Sequence, residues 1–184
     1  SFPPADLRSF LVCCAGEWLA LRSLFAPEEE AAAAAGAAEE AEAGEEGETW
    51  HSAERGELVV TYLPPEREDE PGGLAITPPV VRGRPLVTRH LIFSAGGRFR
   101  GAPAAGGDSP EEEGSWQLRA DGTLELTVHG EEAVVRERIW FTKPNLRLRS
   151  SMEQRHDGRP GQASFSSEIR RVRPPAERPG PAAP

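Results

Sequence analysis

Glu137-Arg138-Ile139-Trp140-Phe141-Thr142-Lys143-Pro144-Asn145-Leu146-Arg147-Leu148-Arg149-Ser150-Ser151 carries the strongest structural signal in this chain. It reads as two extended segments joined at Lys143-Pro144-Asn145. Pro144 fixes φ, removes a donor and biases Lys143 away from helix, and Asn145 tolerates turn geometry. Strand alternation puts Glu137, Ile139 and Phe141 on one face and Arg138 and Trp140 on the other. Beyond the turn, Arg147, Arg149 and Ser151 lie opposite Leu146 and Leu148. Pattern alone predicts the leucines inward and the arginines in solvent, with Glu137 and Glu168 as outward partners in modest surface ion pairs. Facing the other way, the hairpin pairs a carboxylate with two guanidinium groups and suits a polar, dianionic ligand.

Working outward, Gln162 to Val172 reads as a further strand, reached through the turn from His156 to Gly161. Upstream, Trp116–Arg119 and Thr123–Val128 flank Ala120-Asp121-Gly122, where Asp-Gly signals a hairpin. Pro85 to Ser94 alternates as a strand, and Gly101 to Gly114 reads as loop. Leu74 to Val81 is predicted as an irregular edge strand broken by Pro78-Pro79, after a charged loop from Glu66 to Gly73. Gly56 to Leu63 is rich in β formers and ends at Pro64-Pro65. At the start, Asp6 caps a short helix carrying Leu7, Phe10, Leu11 and Cys14 at helical spacing, with Gly16 placed to end it. From Glu17 to Phe25 the period becomes two, with Trp18, Ala20, Arg22 and Leu24 sharing a face. The prediction is an all-β chain of nine or ten strands with one short N-terminal helix. Such a chain stacks two sheets or closes into a barrel. Closure fits better, because the helix caps one mouth and the interior holds a ligand.

A helix followed by Gly16-Glu17-Trp18 resembles the opening of lipocalin-like barrels, in which the tryptophan packs near a barrel end beneath an arginine of the last strand. Arg170 is the candidate for a cation–π contact on Trp18. The Glu137–Ser151 stretch, followed by Ala163-Ser164-Phe165-Ser166-Ser167-Glu168-Ile169-Arg170, resembles the S-type phycobiliprotein lyases, the CpcS/CpeS family. The resemblance covers the last third of the chain well and the N-terminal quarter moderately, while residues 49–114 align poorly. It implies a lipocalin-like antiparallel β-barrel of about ten strands. Two departures stand out: Ser23-Leu24-Phe25 follow Arg22 where the family has Thr and a nearby His, and Ser166 replaces a cysteine.

The resemblance also implies a function. Members bind a linear tetrapyrrole (a bilin such as phycocyanobilin or phycoerythrobilin) as substrate, with no tightly bound cofactor. They attach it by a thioether to a cysteine of a phycobiliprotein α or β subunit. The positions matching Glu137, Arg147, Arg149, Ser151 and Glu168 are associated with bilin binding, and Arg22 is expected to join them. Glu168 and Glu137 are the expected proton partners, the arginines the propionate anchors, and Trp140 a ring-stacking surface alongside Trp18, Phe141 and Phe165. The alternative is a non-catalytic carrier of chlorophyll or another tetrapyrrole in photosystem assembly. A homodimer is compatible with either.

Composition narrows the partners. The formal net charge is −9, yet residues 28–48 hold nine glutamates and no Lys or Arg, and without them 21 acidic residues face 21 basic ones. With no basic surplus, a nucleic-acid partner is not expected. Pro27 to Glu48 lacks an apolar stripe and reads as a disordered acidic Ala/Glu insertion at 27–48. One domain is expected over 1–172, with a flexible proline-rich tail over 173–184. Cys13 and Cys14 are adjacent, which disfavours a disulfide and points to a reducing compartment. Plastid stroma is the expected location, with cyanobacterial cytoplasm as the alternative. Glu17 and Arg22 interrupt the best apolar run, so no membrane span is expected, and His51, His90, His129 and His156 form no metal-ligand set.

Overall fold

The computed structural model describes residues 2–27, 51–77, 88–104 and 111–172. One helix, α1 (Leu7–Cys14), precedes ten strands: β1 (Gly16–Phe25), β2 (His51–Leu63), β3 (Gly72–Thr77), β4 (Arg89–Phe93), β5 (Arg98–Pro103), β6 (Glu112–Leu118), β7 (Leu124–His129), β8 (Ala133–Lys143), β9 (Leu146–Arg155) and β10 (Pro160–Arg170). Every strand pairs antiparallel with its sequence neighbour, and β1 also pairs with β10, so the sheet closes into a barrel. Closure removes the free edges that an open ten-stranded sheet would expose. No helix among the described residues is long and apolar enough to cross a membrane.

The helix forms where expected. The Asp6 carboxylate accepts from the Ser9 N–H at 2.8 Å, and Leu7, Phe10, Leu11 and Cys14 are buried. Burial of each large apolar side chain contributes about 1.5–3 kcal/mol, so packing rather than eight residues of propensity holds α1 in place. Arg8 ties it to the β2–β3 loop through the Glu68 and Glu70 carbonyls, at 2.6 and 2.7 Å. Gly16 belongs to the strand, with Ala15 as the cap, and its φ of +145° is one that side chains rarely adopt. Trp18 is fully buried against α1, and the Arg170 guanidinium lies 4.2 Å from its ring centroid.

The hairpins at Asp121-Gly122 and Pro144-Asn145 form as predicted. Four strand expectations change. The predicted loop from Gly101 to Gly114 overlaps β5, which ends at Pro103, and β6, which starts at Glu112. Clustered glycines hid β5 altogether. The stretch from Leu74 is no edge, since β3 is paired by β2 and β4, and its Pro78-Pro79 lie outside the described residues. The strand predicted from Pro85 is seen from Arg89, with residues 85–87 also outside them. Finally, β2 begins at His51, because ten-residue β1 needs a partner along its whole length, with Phe25 opposite His51. The acidic insertion (from residue 28) and the tail from residue 173 lie outside the described residues.

Candidate functional site

The wall made by β8, β9 and β10 decides what the interior contains. Phe141 is the Cα partner of Arg147, Ile139 of Arg149, and Glu137 of Ser151. In turn Arg147 pairs with Glu168, Arg149 with Ser166, and Ser151 with Ser164. Directly opposed residues point to the same side of a sheet. Ile139 and Phe141 are in the core, so both arginines and Glu168 point inward with them. The leucine-inward expectation is therefore overturned. Its physical reason is pairing: each guanidinium meets a carboxylate from a neighbouring strand, which offsets the cost of burying charge.

The result is a run of alternating charge. Arg147 Nε donates to Glu168 Oε2 at 2.5 Å, Arg149 Nε lies 3.4 Å from Glu168 Oε1, and Arg149 Nη1 donates to Glu137 Oε1 at 3.0 Å. Arg147 and Glu168 are sealed off, while Arg149 and Glu137 are 21% and 27% exposed. Two buried donors, Arg147 Nη2 and Arg149 Nε, have no hydrogen-bond partner, the 3.4 Å approach to Glu168 being poorly aligned. Unmet donors of a buried cation are costly, and an acceptor as small as a water oxygen would satisfy them. Burial pulls the Arg149 guanidinium down, but Glu137 and Glu168 more than offset it, so it is held above its ordinary value. Burial pushes the Cys14 thiol up despite nearby Arg147, leaving it a neutral neighbour. Arg147 also lies 4.5 Å from the Trp18 ring centroid. Arg170 donates to the Ala15 and Cys13 carbonyls, filling acceptors left open at the helix end.

Ligand space is unevenly distributed. Beside Arg147 and Arg149 the core leaves a cavity of about 10 Å³, bounded by Cys14, Leu91, Phe93 and Leu126, room for about one water molecule. The expectation that the interior holds a ligand is thereby narrowed to the far end, because buried side chains of α1 and of β2 to β8 fill the helix-capped half. Toward the far end the inner wall opens to solvent, as the exposure of Glu137, Arg149 and Arg22 shows. Among the described residues no three His, Cys, Asp or Glu converge as a metal site.

Comparison with known proteins bears on this arrangement. The family described as CpeS-like protein matches residues 106–171. Chromophore lyase CpcS/CpeS 1 of Paulinella chromatophora is 33% identical over 179 residues, covering 93% of this chain and 91% of that protein. The chain belongs to the CpcS/CpeS chromophore lyase family. Chromophore lyase CpcS/CpeS 1 of Trichodesmium erythraeum is 46% identical over 67 residues, 36% of this chain and 38% of that one. The structure of the S-type phycobiliprotein lyase CPES from Guillardia theta superposes with a TM-score of 0.58 at 18% identity, covering 92% and 94% of the two chains. That likeness shows a shared fold.

In this CpcS/CpeS barrel, Glu137, Arg147, Arg149 and Glu168 meet in one group, with part-buried Ser151 beside Glu137. Arg22 occupies an inward-facing position opposite Ser166, with its side chain exposed at the far end. Trp140 stands apart. Alternation that puts Ile139 and Phe141 inside forces it onto the outer surface, where its ring lies 6.3 Å from Phe165. The expected stacking surface of Trp140 and Phe165 is thus outside the barrel, and Phe141 is part of the core. One inward-facing group escaped the sequence reading: Arg89 and Glu112, paired at 3.0 Å. Alternation of Arg89 with Leu91 and Phe93 was a legible signal for the first. The second lay in the stretch read as loop.

Proposed function

We propose that this member of the CpcS/CpeS family binds a linear tetrapyrrole in the open half of its barrel. It then promotes thioether attachment of that pigment to a cysteine of a phycobiliprotein subunit. One observation carries the site: a run of alternating charge, Arg147, Glu168, Arg149 and Glu137, that reaches from the sealed core to the open mouth. A linear tetrapyrrole brings two propionates, a row of pyrrole N–H groups and a long apolar body. Arg149 is the anchor for one carboxylate, with a planar fork suited to it, and Arg22 adds positive charge at the same mouth. Glu137, at the solvent end of the run, accepts from pyrrole N–H groups and serves as proton partner. Glu168 is sealed from solvent and accepts from Arg147 through Oε2, so it acts as a positioning residue, and Ser151 supplies a hydroxyl beside Glu137.

The chemistry needs no redox partner. The acceptor cysteine gives up its thiol proton, its sulfur forms a bond to the exocyclic carbon of the pigment's ethylidene group, the double bond's electron pair shifts to the ring, and the ring carbon takes a proton, so the net change is addition of S–H across the double bond. The barrel contributes by holding the pigment extended with that end exposed, and by placing a proton donor near its nitrogens. Phycocyanobilin or phycoerythrobilin is the proposed pigment, and an α or β phycobiliprotein subunit the acceptor. Plastid stroma is the proposed location, supported by the adjacent free thiols and the acidic insertion between the first strands.

Coexpression with a bilin-producing pathway and a phycobiliprotein subunit is the test. Covalently pigmented subunit, lost when Arg149 is replaced by glutamine in a chain that still folds, supports the reading. Pigment bound by the barrel but never transferred favours a carrier, for which the altered Ser23-Leu24-Phe25 segment speaks. Failure to bind pigment sinks both.

A further inference from the structure

We propose that Arg89 is a second carboxylate-binding side chain of the same mouth, held by Glu112 until a ligand carboxylate replaces it. The inference rests on the barrel being a tetrapyrrole binder and deepens that reading. Arg89 opens β4 and Glu112 opens β6, on either side of β5 at the far end of the barrel. Both face inward. Arg89 is in alternation with Leu91 and the buried Phe93, and Glu112 with the buried Gly114. Their side chains meet across β5, Nη2 to Oε2 at 3.0 Å, about 40% exposed on each side.

Gly101 makes that meeting fit. It is the Cα partner of Leu91 on one side and Glu112 on the other. A Cβ there would come within 3.1 Å of Arg89 Nη2 and 3.5 Å of Glu112 Oε2. The glycine thus leaves a shallow floor over which the pair lies, inside the barrel.

The position relative to the first anchor also fits. Leu91 and Arg149 line one small cavity, so β4 faces β9 across the barrel at side-chain distance. Arg89 stands one inward-facing position nearer the mouth than Leu91. A ligand with carboxylates on neighbouring rings, one of them at Arg149, brings the other within reach of Arg89. Exchange is cheap there. Glu112 takes one of the five N–H donors of Arg89, and an ion pair this open to water contributes little to stability. Arg147 and Glu168, shut off from solvent, offer no such exchange.

The test titrates the full chain with phycocyanobilin and with its dimethyl ester, followed by pigment absorbance. For the free acid, Arg89→Gln is expected to weaken binding by about tenfold, the loss of one charge-assisted contact. Glu112→Gln, which frees Arg89, is expected to tighten binding by about threefold. With the ester both differences vanish. Free-acid affinity unchanged in Arg89→Gln overturns the proposal, as does equal weakening of acid and ester, the mark of a structural role. If Arg89→Gln fails to fold, the Glu112→Gln arm decides by the same comparison. Wild-type chain that binds neither pigment overturns the proposed function as well. Binding by the wild type with an indifferent Arg89 overturns this inference alone.

Discussion

Arg147 and Glu168 are Cα partners on adjacent strands, and their side chains close on each other inside the barrel at 2.5 Å, with 1% and 4% of each exposed. Removing one partner of a buried pair leaves an uncompensated charge and costs about 3–5 kcal/mol. Urea unfolding of Glu168→Leu is expected to show a loss of that size. The double variant Arg147→Met/Glu168→Leu is expected to regain most of it while losing pigment binding. Equal stability of Glu168→Leu and wild type would mean that the pair does not form.

Arg149 and Trp140 stand on opposite sides of the same wall, so their substitution separates interior from exterior. Arg149→Gln is expected to weaken bilin binding by about tenfold or more. Trp140→Leu loses packing against Phe165 and leaves pigment affinity as it was. A pigment titration of both variants checks this, and a large affinity loss in Trp140→Leu would relocate the site to the outer surface.

The two cysteines differ in access although they are neighbours. Cys13 is partly exposed and Cys14 buried, with burial holding the Cys14 thiol above its ordinary range. Iodoacetamide at mildly alkaline pH is expected to label Cys13 first. Cys14 is expected to react on the order of a hundredfold more slowly, after local opening. Peptide mass analysis over time reads both rates, and equal rates would contradict the seating of α1.

Hydrogen bonds from Arg155 and Arg159 hold the Asp157 carboxyl well below its ordinary value of 3.8. A carboxylate depressed in the folded state stabilises above its unfolded value, and that contribution is lost as pH falls. Asp157→Asn is expected to melt below wild type at neutral pH, with the gap shrinking as pH falls from about 4 toward about 2. A gap that stays constant across that window would refute the assignment.

At Gly16, φ of +145° coincides with the Arg170 guanidinium packed where a Cβ would stand. Gly16→Ala is expected to cost about 1–3 kcal/mol through backbone strain and loosened capping of α1. Thermal unfolding measures it, and a neutral result would mean that β1 starts differently.

Local rules carried much of the architecture. Asp6 with its apolar spacing announced α1, and Asp121-Gly122 and Pro144-Asn145 announced their hairpins, because caps and turns act within a few residues. Strand β5 was not legible, since the turn glycines Gly96 and Gly97 precede it and Gly101 looks like loop until β4 and β6 supply its hydrogen bonds. What surrounds Gly101 also comes from neighbouring strands: a Cβ there would stand 3.1 Å from Arg89 Nη2, a closeness no local pattern shows. The pairing of Arg170 with Trp18 was expected from a resemblance rather than from spacing, and it forms.

By itself, the sequence determined the alternation of β8 and β9: which side chains travel together on a face follows from a period of two that no packing alters. It left open which face is the inside. Only the tertiary structure decided that: β10 laid against β9 put Glu168 opposite Arg147, and closure of β1 onto β10 shut the pair inside, so the buried guanidinium has the counter-charge without which it would have turned to water.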